Sequence, residues 1–276
     1  MNEQQLSTTA VFENYWKQVR DVLGLLPSKR RSFIKDENIA LLKRDWKTFD
    51  GQQAVQRLFD SLASKGWQET PGANWVWREK HTEPSQQNDS QEVRLEHKIV
   101  DLGRQRWTRQ ISTASGVDAK WDQKDKKHKR TRSNRRRSID LVYDQGEGGF
   151  SFVELKVGSD SPIYALFEIL GYGLAYWHSR QEKPNHQPDA SRLMQAQKID
   201  LVVLGPTSWY QDTPHDMAAL TEELNRGLAE LTRGELPMRL CHTDYPLDDF
   251  KNAVPAADLA IAAITKLAPP TQRDTP

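Results

Sequence analysis

Two stretches of this chain alternate apolar and polar residues with period two, the spacing of half-buried strands. They are Ser138-Ile139-Asp140-Leu141-Val142-Tyr143 and Phe150-Ser151-Phe152-Val153-Glu154-Leu155-Lys156-Val157. The glycine-rich link from Asp144 to Gly149 joins them as a hairpin turn would. Alternation sets Ile139, Leu141 and Tyr143 on one face of the first strand and Asp140 on the other. In the second strand Val153, Leu155 and Val157 share a face, and Glu154 and Lys156 point the opposite way. Pairing about residue 147 brings Asp140 across from Glu154, with Lys156 two residues further along the same face. Two carboxylates and an ammonium on one sheet face make a poor sheet. They suit chemistry, because they can hold a hard cation and set a charge beside an attacking water.

Helical spacing surrounds this hairpin. After it, Ser161 is suited to cap a helix and Pro162 to begin it. Ile163, Leu166, Phe167, Leu170, Leu174 and Trp177 then form a stripe fit to pack on the sheet, with Glu168 and Tyr172 four apart on another flank. Before it, Glu92–Leu102 reads as a helix with Leu95, Ile99, Val100 and Leu102 apolar, and a strand is expected near Arg106–Thr113. Ile199–Leu204 is a nearly continuous apolar strand of a sheet interior, followed by an amphipathic helix Met217–Thr232 and a strand Met238–His242. The spacing predicts N-terminal helices over Val11–Leu26, Glu37–Trp46 and Gln52–Lys65, and a short strand at Trp75-Val76-Trp77. His81–Ser90 reads as a linker, and Ala256–Lys266 as one further helix before a disordered end.

The Asp140 strand followed by Glu154-Leu155-Lys156 resembles the PD-(D/E)xK nuclease superfamily, whose signature is an Asp ending one strand and Glu-x-Lys in the next. The specific part spans about twenty positions within a resemblance over residues 86–243. Glu-x-Lys alone carries little, since Glu96-His97-Lys98 has the same spacing inside a helix. The Pro that often precedes the Asp is replaced by Ile139. The resemblance implies a restriction-endonuclease-like α/β fold: a mixed central sheet in the order αβββαβ with an added αβ unit. With the helical spacing upstream and the composition downstream, the chain divides into a mainly helical extension (1–85), a nuclease-like domain (86–250) and an Ala/Pro-rich tail (251–276).

The resemblance also implies roles. Asp140, Glu154 and the backbone carbonyl of Leu155 would hold Mg²⁺ or Mn²⁺, and Lys156 would orient water or stabilise charge on the phosphate. A helical Glu often joins such a site. Glu92 and Glu96 are both placed for it, and Glu96 is preferred for its closeness to the apolar stripe. RecB-like members carry Gln-x-x-x-Tyr on the following helix. Here Glu168 stands in place of Gln, and Tyr172 either contacts substrate or packs.

Composition narrows the picture. A hydrophobic content of 37% with nine Trp supports a sizeable core in a chain of 276 residues. No charge-led leader or apolar run of membrane-spanning length is seen, and a single Cys241 suits a reducing compartment, so a cytoplasmic protein without membrane contact is expected. Cys241-His242 lacks the four-ligand spacing of structural zinc. No G-x-S-x-G, phosphate-loop or H-E-x-x-H motif is present.

Charge is lopsided. Residues 120–137 hold ten Lys or Arg against two Asp, a net +8 within a chain totalling +1, so the remainder sums to −7. Such density reads as a solvated loop beside the Asp140 strand. Lys126, Lys127, Lys129, Arg130, Arg132, Arg135, Arg136 and Arg137 are its candidate phosphate contacts, and Trp121 can stack on a base. The expected function is metal-dependent phosphodiester hydrolysis, most naturally of DNA and by endonuclease action, with phage defence or restriction suggested by analogy. RNA as substrate, or a non-catalytic nucleic-acid-binding or assembly subunit of the same fold, stay as alternatives. So does association as a homodimer or with a partner protein.

Overall fold

The computed structural model describes residues 8–25, 45–63, 77, 90–103, 105–112, 119–122, 127–130, 138–157, 161–181, 192–211, 216–246 and 253–267. In chain order its helices are α1 (Thr8–Leu23), α2 (Gly51–Ala63), α3 (Gln91–Leu102), α4 (Pro162–Gln181), α5 (Thr207–Gln211), α6 (Met217–Thr232) and α7 (Ala253–Leu267). The strands are β1 (Trp107–Ser112), β2 (Ala119–Asp122), β3 (Lys127–Arg130), β4 (Ser138–Gly146), β5 (Gly149–Leu155), β6 (Lys198–Pro206) and β7 (Met238–Tyr245). The architecture is α/β, built on an open five-stranded mixed sheet of order β1-β4-β5-β6-β7. β1, β4 and β5 are antiparallel neighbours, whereas β5, β6 and β7 run parallel.

The central hairpin follows from its turn chemistry. Glu147 and Gly148 both take positive φ, 51° and 77°, the backbone of a two-residue primed turn that matches strand twist. Leu141 pairs with Val153 and Val142 with Phe152, the register expected for pairing about residue 147. A shift at Asp144/Gly146 absorbs one residue next to the turn.

Two apolar layers flank the sheet. On one side Val142, Phe152, Leu201 and Val203 join residues of α1, α2, α4 and α6. On the other, Leu141, Val153, Leu155 and Val202 join α3 and the buried alanines of α7. Residues 8–23 and 51–63, read from sequence as part of an extension, thus sit in the core beneath α4. Helix α7, read as lying in a tail, closes the opposite face.

Helix α4 departs from a simple stripe. Every residue from Pro162 to Ser179 except Glu168 is buried, because the sheet covers one side while α1 and α2 cover the other. Ser161 Oγ accepts from Tyr164 N at 3.2 Å, which caps the helix as its sequence suggests. Ile139 also departs from expectation. It packs with Ile111 in the α4-side core rather than beside Leu141 and Tyr143, because regular alternation fails at Asp140.

A third correction concerns the basic segment. Part of it is not a loop, since β2 and β3 pair as an antiparallel ribbon with Lys120 opposite Lys129 and Asp122 opposite Lys127. Strand pairing satisfies backbone donors and acceptors without burying charged side chains, so charge density alone does not exclude it. Lys127, Lys129 and Arg130 lie on β3, while Lys126, Arg132, Arg135, Arg136 and Arg137 fall outside the described residues. The expected helix over 37–46 falls almost wholly outside them, with Trp46 opening a short 3-10 turn to Thr48. So does the strand at 75–77 apart from buried Trp77, the linker apart from Ser90, and the final residues. Among the described residues no helix is long and apolar enough to cross a membrane.

Candidate active site

The β4–β5 ladder stops at Leu141–Val153, and from there a side chain replaces the backbone. Asp140 Oδ2 accepts from Leu155 N at 3.0 Å. A strand residue sends its N–H and C=O toward the same neighbour, so the Leu155 carbonyl also faces the Asp140 side. The next residue faces the other way: Lys156 N donates to Leu204 O at 2.8 Å, and Tyr245 Oη donates to Lys156 O at 3.1 Å. Strands β6 and β7 therefore fix the backbone that carries Glu154 and Lys156.

On the α4 side of the sheet these two side chains meet helix α4. Lys156 Nζ lies 2.7 Å from Glu154 Oε1 and 3.4 Å from Glu168 Oε2. Tyr172 Oη donates to Glu168 Oε1 at 3.3 Å, so Tyr172 reaches the cluster through Glu168. Glu154 Oε2 is buried and has no hydrogen-bond partner. A buried carboxylate oxygen left unpaired is costly, and each such atom in a folded protein calls for a reason.

Helix α3 adds two acids. Carboxylate oxygens of Glu92, Glu96 and Asp140 all lie within 4.8 Å of one another. Glu96 is held by Gln110 Nε2, which donates to its Oε2 at 2.9 Å, and Ser138 Oγ donates in turn to Gln110 Oε1 at 2.6 Å. Gln110 adopts φ 54° in the middle of β1, a backbone that few residues other than glycine take. That local irregularity falls on the strand next to Asp140, where β4 leaves its ladder.

Crowding acids around one ammonium shifts the protonation of Asp140, Glu154 and Glu96. Burial, then the charges of Glu96 and Glu92, push Asp140 well up, against the opposing pull of Lys156 and the Leu155 N–H. Burial, Asp140 and Glu168 likewise push Glu154 well up. Glu96 is raised to about 7, first by burial and then by Glu92, despite the Gln110 hydrogen bond and the charge of Arg109. Burial alone would lower Lys156, but Glu154, Glu168, Asp140 and Glu92 outweigh it and hold the ammonium charged. The site thus combines a fixed cation with acids that ionise together only against resistance.

The donor set fits a small hard cation. Mg²⁺ binds oxygens at ~2.1 Å, which places neighbouring ligands ~3 Å and opposed ligands ~4.2 Å apart. Separations within 4.8 Å at Glu92, Glu96 and Asp140 close to those values with small side-chain adjustments. Glu154 stands outside this group of three, with its Oε2 buried and unpartnered, and a divalent cation would offset its repulsion with Asp140.

No protein-family model, curated protein or solved structure matches this chain. The site is therefore read from its own residues. Asp140, Glu154 and Lys156 come together on β4 and β5, joined by Glu96 from α3 and, through Glu168, by Tyr172 from α4. Sequence reasoning ranked Glu96 above Glu92, whereas both stand at Asp140, as their i, i+4 spacing allows. It gave Glu168 no role of its own, although spacing already paired it with Tyr172. Gln110 left no trace in the pattern, because its importance comes from a backbone irregularity.

Proposed function

We propose that this protein is a metal-dependent nuclease that hydrolyses phosphodiester bonds, with DNA as its substrate. The observation that carries the reading is the buried Glu154–Lys156 pair, with its unpaired Glu154 oxygen, next to a half-buried Asp140 that accepts from Leu155 N between them. Asp140, Glu92 and Glu96 would hold the cation, with Glu154 and the Leu155 carbonyl completing the set. A bound divalent cation supplies Lewis-acid polarisation of the phosphate and a more acidic water. Lys156 contributes a permanent positive charge, which stabilises negative charge building on phosphate oxygens as water adds to phosphorus and the bridging P–O bond breaks. Tyr245 and Leu204 keep that lysine's backbone in place. The basic segment lies between β1 and β4 in the chain and runs directly into the strand that carries Asp140, so it would hold the phosphate backbone nearby.

The test is cleavage of supercoiled plasmid, linear duplex, single-stranded DNA and RNA by wild type and Lys156→Ala, with Mg²⁺, Mn²⁺ or EDTA. Cutting of DNA that needs the metal and drops at least a hundredfold in Lys156→Ala is the expected result. RNA as the substrate that disappears would reassign the protein as a ribonuclease. Equal cutting by both proteins would sink the mechanism, and salt-sensitive DNA binding without any cutting would make it a binding subunit.

A further inference from the structure

Glu168 and Lys156 raise a question that the nuclease reading does not answer. Two carboxylates from different elements, Glu154 on β5 and Glu168 on α4, converge on one point, and an ammonium occupies it. The side chains of Lys156 and Glu154 are 7% and 3% exposed, so this is no loose surface pair. Glu168 is steadied from its other oxygen by Tyr172 Oη. Glu154 divides its two oxygens: Oε1 takes the ammonium, and Oε2 is buried without a hydrogen-bond partner. The charge of Asp140 also reaches Glu154. Carboxylate oxygens that gather round an ammonium are the same hard donors that divalent cations take.

We propose that the Lys156 ammonium fills a latent second divalent-cation position formed by Glu154 and Glu168. The native protein then binds one divalent cation, at Glu92, Glu96 and Asp140, and neutralising Lys156 opens the second position. This rests on the nuclease reading for the first cation but not for the second. Glutamine at position 168 would bring only one neutral oxygen, so the second position depends on the glutamate found here.

Mn²⁺ binding to the EDTA-stripped full chain tests this, by calorimetry and by electron paramagnetic resonance of free Mn²⁺. Expected counts are one ion for wild type, two for Lys156→Met and Lys156→Gln, and one again for Lys156→Met combined with Glu168→Gln. Loss of the ammonium leaves the buried Glu154 carboxylate opposed to the half-buried one of Glu168, so Mn²⁺ should also raise the melting temperature of Lys156→Met more than that of wild type. Should the variant fold only with Mn²⁺, bound metal is counted on the folded, desalted protein. One ion on both Lys156 variants, or two on wild type, would overturn the proposal. No ion on wild type but one on Lys156→Met would instead remove the Asp140 site and leave the Lys156–Glu168 position standing. No ion on either protein removes both.

Discussion

Glu96 shows how a single side chain can tie stability to pH. Its carboxyl is raised from the ordinary 4.5 to about 7, with Gln110, Arg109 and Lys156 favouring ionisation against burial, Glu92 and Asp140. In the unfolded chain the same carboxyl ionises near its ordinary value. Between those two values the folded protein holds a proton that the unfolded chain has released, so stability falls as pH rises and levels off above about 7. For a group this buried the loss is on the order of 3 kcal/mol. Raised Asp140 and Glu154 push in the same direction. Metal-free Glu96→Gln keeps an acceptor for Gln110 and carries no charge. It should therefore melt several degrees above wild type at pH 8 and lose part of the decline between pH 5 and 8. Parallel melting curves for the two proteins across that range would show that Glu96 does not hold the proton.

At the scale of elements, the β4–β5 hairpin is legible because near-regular alternation, a glycine turn and a polar triad point to the same pairing. The alternation that identified Asp140 and Glu154 needed only local residues. What it missed depended on neighbours far along the chain. Asp200 was read as one position in an apolar strand, yet it is fully buried and held by Gln145 at 2.7 Å, Lys198 at 3.0 Å and Arg239 at 3.1 Å. Such an acid looks functional in isolation and is structural in its setting. Helix α1 is legible as a helix in its spacing, but its packing against α4 is not. Tyr15 Oη donates to Phe167 O at 2.6 Å, and Phe12 packs edge-on against Tyr172 at 5.9 Å, so α1 braces the turn of α4 that carries Glu168. Gly171 makes room for this, because a Cβ there would come within 2.8 Å of the Tyr15 ring. Gly171→Ala should destabilise the protein by ~1–3 kcal/mol through overpacking, measured by urea unfolding. Adding Tyr15→Ala should remove part of that strain, so the double variant loses less than the sum of the two singles. Strict additivity would mean that the glycine is not there to admit Tyr15.

Over the whole molecule, the arrangement of charge sets how a nucleic acid would be held. The chain totals +1, but residues 120–137 carry +8 and the rest −7. A phosphate backbone is repelled by the acidic remainder, and by the carboxylates of the site above all, unless the basic segment supplies compensating attraction. That segment lies between β1 and β4 in the chain and ends just before Ser138, two residues from Asp140, so its attraction would act close to the acids of the site. Each phosphate neutralised by Lys or Arg contributes ~0.9 to the slope of log affinity against log salt on duplex DNA. Replacing Lys127, Lys129 and Arg130 on β3 by Gln should therefore cut that slope by up to ~3 and weaken binding evenly across sequences. Melting temperature should stay put, because these changes leave the ribbon's backbone pairing intact. Fluorescence anisotropy with a short duplex at several salt concentrations reads the slope directly. An unchanged slope with an unchanged melting temperature would move the phosphate contacts off β3, and an unchanged slope in a variant lacking the basic charges throughout 120–137 would remove this segment from DNA binding altogether.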